Sequence, residues 1–478
     1  MRILKGLKPE NVFTFFEEIS AVPRGSGHTS QIRKYLEVFA LQRGLKYVSD
    51  SADNVVIFKP ASKGRESEKP VIIQGHIDMV WEKDSSSNIN FETDGLELEV
   101  NGDFVSAKGT TLGGDDGVAV AMGLALLDSD DISHPPLEIV FTSDEETGMD
   151  GAVALDTSVL EGKRMLNLDS EAEGTLWVSC AGGARADVSL EAEYESCVAD
   201  AMIKIKVSGL HGGHSGAEIH KGYANANKIM GRLLAELKEK TDFRIADIYG
   251  GTADNAITRD SCCVIASNDE KIKDYIKSIG DAVCREIENT DPEACVCVDE
   301  CDKCEKIMNA ESTSKLIALL NELPSGVIAM SKDIEGLVET SLNLGVLKHN
   351  DGVIDYCFSV RSSKDDEKAK LCDRLKEIAD NFSCKIKFSS EYPAWEFKQD
   401  SELRDTMAKI YSDMFGKEMT VTAIHAGLEC GLFCGKIKGL DCVSFGPDMF
   451  DIHTPSEKLS ISSTERVWNY LLKVLEKI

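Results

Sequence analysis

Val71-Ile72-Ile73-Gln74-Gly75-His76-Ile77-Asp78 sets a histidine and an aspartate directly behind a short β-branched run. A run this short, apolar and bounded by Pro70 and Gly75, reads as a buried strand of a parallel sheet. Leu137-Glu138-Ile139-Val140-Phe141 and Met165-Leu166-Asn167-Leu168 repeat the pattern, as does Cys442-Val443-Ser444-Phe445. Each precedes polar residues: Asp144-Glu145-Glu146-Thr147-Gly148, Asp169-Ser170 and, a little further on, Asp451-Ile452-His453-Thr454. Groups just past the carboxyl ends of such strands lie where open α/β sheets bind ligands. Several strand ends therefore direct polar side chains toward one crevice.

Outward from this stretch the α/β style persists. Residues 9–19 and 30–42 carry apolar residues at helical spacing, and 117–127 reads as a helix of small residues suited to close packing on a sheet. After about residue 185 the pattern changes. Met202-Ile203-Lys204-Ile205-Lys206-Val207 alternates apolar and charged, and strands at 262–266 and 353–360 do likewise, with an amphipathic helix at 225–239. Alternation marks a sheet wet on one face, hence an α+β module with antiparallel strands. By about residue 395 the α/β style returns, ending in a helix over 463–477. If His453 joins the earlier polar groups, the middle module is an insertion. The expected organisation is an α/β, mostly parallel-sheet catalytic domain (1–185 and 395–478) interrupted by an inserted α+β lid domain (186–394).

At 478 residues the chain exceeds one ordinary core, and 42% hydrophobic with 28% charged residues is the composition of a soluble globular protein. The net charge of −29, from 82 acidic against 53 basic residues, opposes nucleic-acid binding. No apolar run is long enough to span a membrane, and Met1-Arg2-Ile3-Leu4-Lys5-Gly6 leads into no secretory-type apolar region, so the expected location is the cytoplasm. The 15 cysteines then read as free thiols. Cys295, Cys297, Cys301 and Cys304 cluster, but the Cys301-x-x-Cys304 spacing has no second such pair, which favours a strand and turn with reduced thiols over a structural metal.

The polar groups supply the inventory of a two-metal hydrolytic site: two imidazoles, a bridging carboxylate, two terminal carboxylates and one left over as a base. His76 offers a ligand while Asp78 accepts its other ring proton. Asp115, among the glycines of Gly113-Gly114-Asp115-Asp116-Gly117, is placed to bridge two ions, with Asp116 available as a helix cap. Adjacent Glu145 and Glu146 repel each other unless a metal binds Glu146 and leaves Glu145 to take a proton from water. Asp169 completes one ligand set and His453 the other: His76, Asp115 and Asp169 for one ion, Asp115, Glu146 and His453 for the second. Two divalent ions are expected, zinc first, with manganese or cobalt suited to the same donors. No phosphate-binding Gly-rich loop and no His-Glu-x-x-His helix is present, and Gly212-Gly213-His214-Ser215-Gly216-Ala217 lacks the register of a serine nucleophile elbow.

With these motifs in order, the chain resembles the dinuclear zinc exopeptidases with an inserted lid, and among them the aminoacyl-histidine (Xaa-His) dipeptidases. Gln74–Val80, Gly109–Asp115, Thr142–Gly148, Leu166–Glu171, Gly212–Gly216, Lys221–Asn227 and His425–Gly431 carry the resemblance over nearly the full length. It implies that His76, Asp115, Glu146, Asp169 and His453 are metal ligands, Glu145 the base, and Asp78 the residue orienting His76. Asp169, where carboxypeptidase relatives more often carry Glu, implies a dipeptidase or aminopeptidase. It also implies that His214, Asn255 and Arg361 reach the substrate, His214 polarising the scissile carbonyl and Arg361 clasping the terminal carboxylate. Tyr223 departs from the arginine common in the family.

The expected function is a metal-dependent dipeptidase acting on small peptides with free termini, with Xaa-His substrates implied by resemblance alone. An N-acyl amino-acid deacylase on the same metals, or a non-catalytic metal-binding homologue, stays open, although an intact Glu145 argues against the latter. A homodimer through the lid domain is compatible with this reading, with neither nucleic acid nor membrane as partner.

Overall fold

The computed structural model describes residues 2–199 and 201–478, which form two compact units. The first comprises Met1–Ser179, Phe397–Ala423 and Leu428–Ile478, and the second Cys180–Glu396 with Ile424–Gly427.

The first unit is built on an eight-stranded sheet ordered Lys46–Ser49, Val55–Lys59, Leu137–Thr142, Val71–His76, Arg164–Asn167, Asp441–Ser444, Thr175–Cys180, Thr420–Ile424. Its centre is parallel: Val71–His76 pairs with Leu137–Thr142 and with Arg164–Asn167, which pairs in turn with Asp441–Ser444. Toward the edges the pairings become antiparallel, as between Val55–Lys59 and Leu137–Thr142. Every residue of Val71–His76 and of Leu137–Thr142 is buried, because both faces of these central strands are covered. The register sets His76 opposite Thr142 and Gln74 opposite Asn167, so the chain leaves all three central strands at one end of the sheet.

The helix Gly114–Asp128 is buried along almost all its length and packs on this sheet and on the helix Glu10–Ser20. Its small residues are required there. A Cβ on Gly123 would lie 3.0 Å from both Ile139 and Phe141, and one on Gly75 would lie 2.5 Å from the Cβ of Ala119. A separate antiparallel sheet joins Met449–Phe450, Lys458–Ser460, Phe104–Ala107 and Leu98–Asn101, so residues 451–457 form a hairpin loop.

The second unit centres on a nine-stranded sheet ordered Cys295–Glu300, Ala201–Ser208, Ser261–Ser267, Arg244–Gly250, Val338–Asn350, Val353–Ser362, Gly182–Glu191, Lys385–Tyr392, with Gly326–Met330 added to Val338–Asn350. These pairings are antiparallel. Alternate residues form one apolar core with the helices Ala226–Lys238, Ile272–Glu286, Ala310–Glu322 and Asp365–Asn381. Cys295 and Cys297 lie exposed on the strand Cys295–Glu300, and Cys301 and Cys304 are part-buried in the loop that follows. No described helix is long and apolar enough to cross a membrane.

Candidate active site

His76 ends its strand fully buried, with Nε2 2.9 Å from Oδ1 of Asp115 and 3.7 Å from Oδ1 of Asp169. The other oxygen of Asp115 lies 3.2 Å from Nε2 of His453, which is also 3.0 Å from Oε2 of Glu146. One carboxylate thus faces an imidazole on each side, and each of the two Nε2 atoms has one further carboxylate nearby. The backbone is strained at and beside these residues: His453, Asp451 and Asp144 have φ of 61°, 55° and 53°, values uncommon for non-glycine residues and frequent at functional sites.

Asp78 is fully buried, its Oδ1 3.3 Å from Nδ1 of His76. It also accepts hydrogen bonds from Ser26 Oγ at 2.8 Å and from the main-chain N–H groups of Glu145 (3.1 Å) and Glu146 (3.4 Å). A single carboxylate therefore fixes the ring orientation of His76 and seats the turn carrying both glutamates.

The electrostatics describe a cluster short of positive charge. Burial pushes Glu145 up to about 8, with nearby Glu429, Glu146 and Asp115 adding to the rise. Burial likewise raises Asp169 and Asp116 well above the usual carboxylate range, and Glu171 to about 7. The pKa of His453 also rises, up to about 10, here because its hydrogen bonds to Asp115 and Glu146 favour the charged ring. Burial disfavours a charged His76, yet the carboxylates of Asp115 and Asp78 outweigh it and raise its pKa.

These residues fit divalent cations. A tetrahedral shell with bonds of about 2.0–2.1 Å sets neighbouring donors roughly 3.3 Å apart, and the 2.9–3.7 Å spacings here bracket that value. Oε1 of Glu146 is buried without a hydrogen-bond partner, as a donor atom awaiting an ion would be. His76 with Asp115 and Glu146, and His76 with Asp116 and Asp169, each converge closely enough to share an ion. Asp116, which the sequence offered only as a cap, enters the second grouping.

Three expected substrate residues lie in the second unit. Nδ1 of His214 accepts from the N–H of Ala217 at 3.0 Å and of Gly216 at 3.3 Å, while burial and the charge of Arg361 lower its pKa. His214 is thus neutral with its proton on Nε2, a donor suited to a carbonyl. Arg361 is 8% exposed, and its guanidinium donates to Tyr392 Oη at 3.2 Å and has no carboxylate within 4.0 Å among the described residues. A buried cation so placed favours an anionic ligand. Gly216 brings the two together: a Cβ there would sit 3.0 Å from His214, 3.3 Å from Arg361 and 2.4 Å from the carbonyl oxygen of His425. Asn255 is exposed, and its carbonyl accepts from Ser215 N at 2.8 Å.

Sequence reasoning assigned no role to several groups found here. His425, 2.7 Å from Ser341 Oγ, is held near 3 by burial and by Arg361. Glu429 is fully buried beside Gln74 and Thr142. Arg24 and Glu457 are buried, Arg24 against the Ile77–Asp78 turn and Glu457 against Leu112–Asp115. His425 and Glu429 fall inside a stretch that carries the resemblance, whereas Arg24 and Glu457 stand in loops whose partners are distant in sequence.

Residues 72–477 match peptidase family M20/M25/M40. The chain is 35% identical, over its whole length and 99% of the relative's, to the cytosol non-specific dipeptidase of Escherichia coli (strain K12). Its structure is similar to that of the aminoacylhistidine dipeptidase of Vibrio alginolyticus, with a TM-score of 0.92, 34% identity, and coverage of 99% of this chain and 98% of that one. It also shares its fold with an aminopeptidase of Bacillus cereus, at a TM-score of 0.56, 15% identity and 98% coverage of both chains.

Proposed function

The chain belongs to peptidase family M20/M25/M40, and from that premise we propose that it is a cytoplasmic, dinuclear metallo-dipeptidase hydrolysing short peptides with free termini, Xaa-His dipeptides among them. The observation that carries the reading is Asp115 set between His76 and His453, one oxygen toward each. His76, Asp115 and Asp169 would hold one ion and Asp115, Glu146 and His453 the other, with zinc the best match to the donors and manganese or cobalt compatible. Names given to the relatives in Escherichia coli and Vibrio alginolyticus support the substrate class.

Ions bound there supply Lewis acidity toward the peptide carbonyl and ionise water near neutral pH. Glu145, buried beside the proposed ligands, takes the proton of the attacking water and delivers it to the leaving amine. Asp78 keeps the His76 ring fixed throughout. In the second unit, His214 donates from Nε2 to the scissile carbonyl oxygen, Arg361 clasps the terminal carboxylate, and Asn255 contacts the substrate.

The test is hydrolysis of a small panel by protein stripped of metal and reloaded with zinc, manganese or cobalt. It pairs alanyl-histidine and β-alanyl-histidine with N-acetyl amino acids and a tripeptide. Metal-dependent cleavage of the free dipeptides supports the proposal. Cleavage confined to the acetylated compounds would make the protein a deacylase, and silence with metal bound would make it a non-catalytic binder.

A further inference from the structure

Glu457 lies in the same hairpin loop as His453 and is 2% exposed. Its carboxylate accepts four consecutive main-chain N–H groups: Leu112 (2.7 Å) and Gly113 (2.9 Å) at Oε2, Gly114 (2.7 Å) and Asp115 (3.4 Å) at Oε1. An ionised carboxylate offers acceptor sites alone, and here they are spent on one turn, the turn that presents Asp115. Arg24, also 2% exposed, follows the first helix. Its Nη1 donates to the carbonyls of Ile77 and Asp78 at 3.2 Å each, and its Nη2 to that of Gly113. Gly113 and Gly117 leave room for the guanidinium, since a Cβ on either would fall within 2.5 Å of Nη2.

We propose that Arg24 and Glu457, neither of them among the assigned ligands, are positioning residues that set the spacing of the ligands. Arg24 ties the His76–Asp78 turn to the Asp115 turn, and Glu457 ties the Asp115 turn to the His453 hairpin. The three loops come from distant parts of the chain, and the separations of Asp115 from His76 and from His453 are fixed through main chain that these two side chains hold. The inference rests on the ligand assignment above and extends it to residues that touch no ion.

The experiment titrates zinc calorimetrically into the metal-stripped full chain, as wild type, Glu457→Gln and Arg24→Lys, alongside the melting temperature of each metal-free form. Glu457→Gln turns an amide donor onto N–H donors, and Arg24→Lys keeps the charge but cannot serve two turns at once. The wild type is expected to bind two equivalents and each variant to lose about 10–100-fold in affinity for at least one. Amide exchange at residues 112–115 should quicken in Glu457→Gln. Wild-type zinc affinity in both variants overturns the inference, whatever their melting temperatures, because a merely structural role lowers stability and leaves the ligand spacing intact. Should Glu457→Gln fail to fold, Arg24→Lys decides by the same criterion. A wild type that binds no zinc overturns the ligand assignment itself, and the inference falls with it.

Discussion

Nε2 of His453 lies 3.2 Å from Oδ2 of Asp115, a residue 338 positions earlier in the chain. With His76 on the other oxygen, Asp115 is, in the proposed assignment, the one side chain common to both ligand sets. Asp115→Asn is therefore expected to weaken both ions and to lower kcat by about 10³-fold or more, several kcal/mol of lost charge stabilisation. Metal content by mass spectrometry checks this. A variant that keeps two ions and near-normal turnover would count against the bridge.

Glu145→Gln separates base from ligand. It should lower kcat by roughly 10²–10⁴-fold while the variant still binds two metal ions. Loss of metal along with activity would instead make Glu145 a ligand.

Metal affinity should rise with pH. In the metal-free protein His453 holds its proton up to about 10, and Glu145 to about 8. An incoming cation displaces these protons, so binding is weaker below those values and strengthens as pH climbs from 6 to 8. Calorimetry in two buffers of different ionisation enthalpy should register proton release. An affinity flat across that range would contradict the electrostatic picture.

As the proposed carboxylate clasp, Arg361 should discriminate by charge. Arg361→Met should reduce kcat/KM for a dipeptide with a free carboxylate by about 10–100-fold, the worth of one or two charged hydrogen bonds. The matching dipeptide amide should be affected far less. Equal losses on both substrates would remove the clasp.

His425 links stability to acid. Its folded-state pKa is near 3, set by burial with Arg361 adding to it, against 6.5 for an ordinary histidine. As pH falls below 6.5 the unfolded chain takes up the proton first, so stability drops by about 1.4 kcal/mol per pH unit until protonation reaches the folded state near pH 3. His425→Gln should lack this contribution, and the urea stability of the two metal-free proteins should converge between pH 6 and 4. Parallel curves would show that His425 is not buried as a neutral ring.

The parallel centre of the first unit was legible because Val71–Ile73 and, Glu138 apart, Leu137–Phe141 are apolar on both faces, and only a strand covered on both faces tolerates that. The antiparallel sheet of the second unit was legible for the converse reason, the alternation of Ile203, Ile205 and Val207 with Lys204 and Lys206. Glu145, Asp115 and His453 could be singled out as candidates because they lie among glycines or past strand ends. Arg24, Glu457 and Asp116 could not, since nothing local distinguishes a buried charge from a solvated one. Periodicity and motif are local properties that sequence alone determines. That Glu457 meets four amides and Asp115 meets two imidazoles was decided only when the fold brought distant turns within hydrogen-bonding reach, because a charge can be buried only where such partners are already in place.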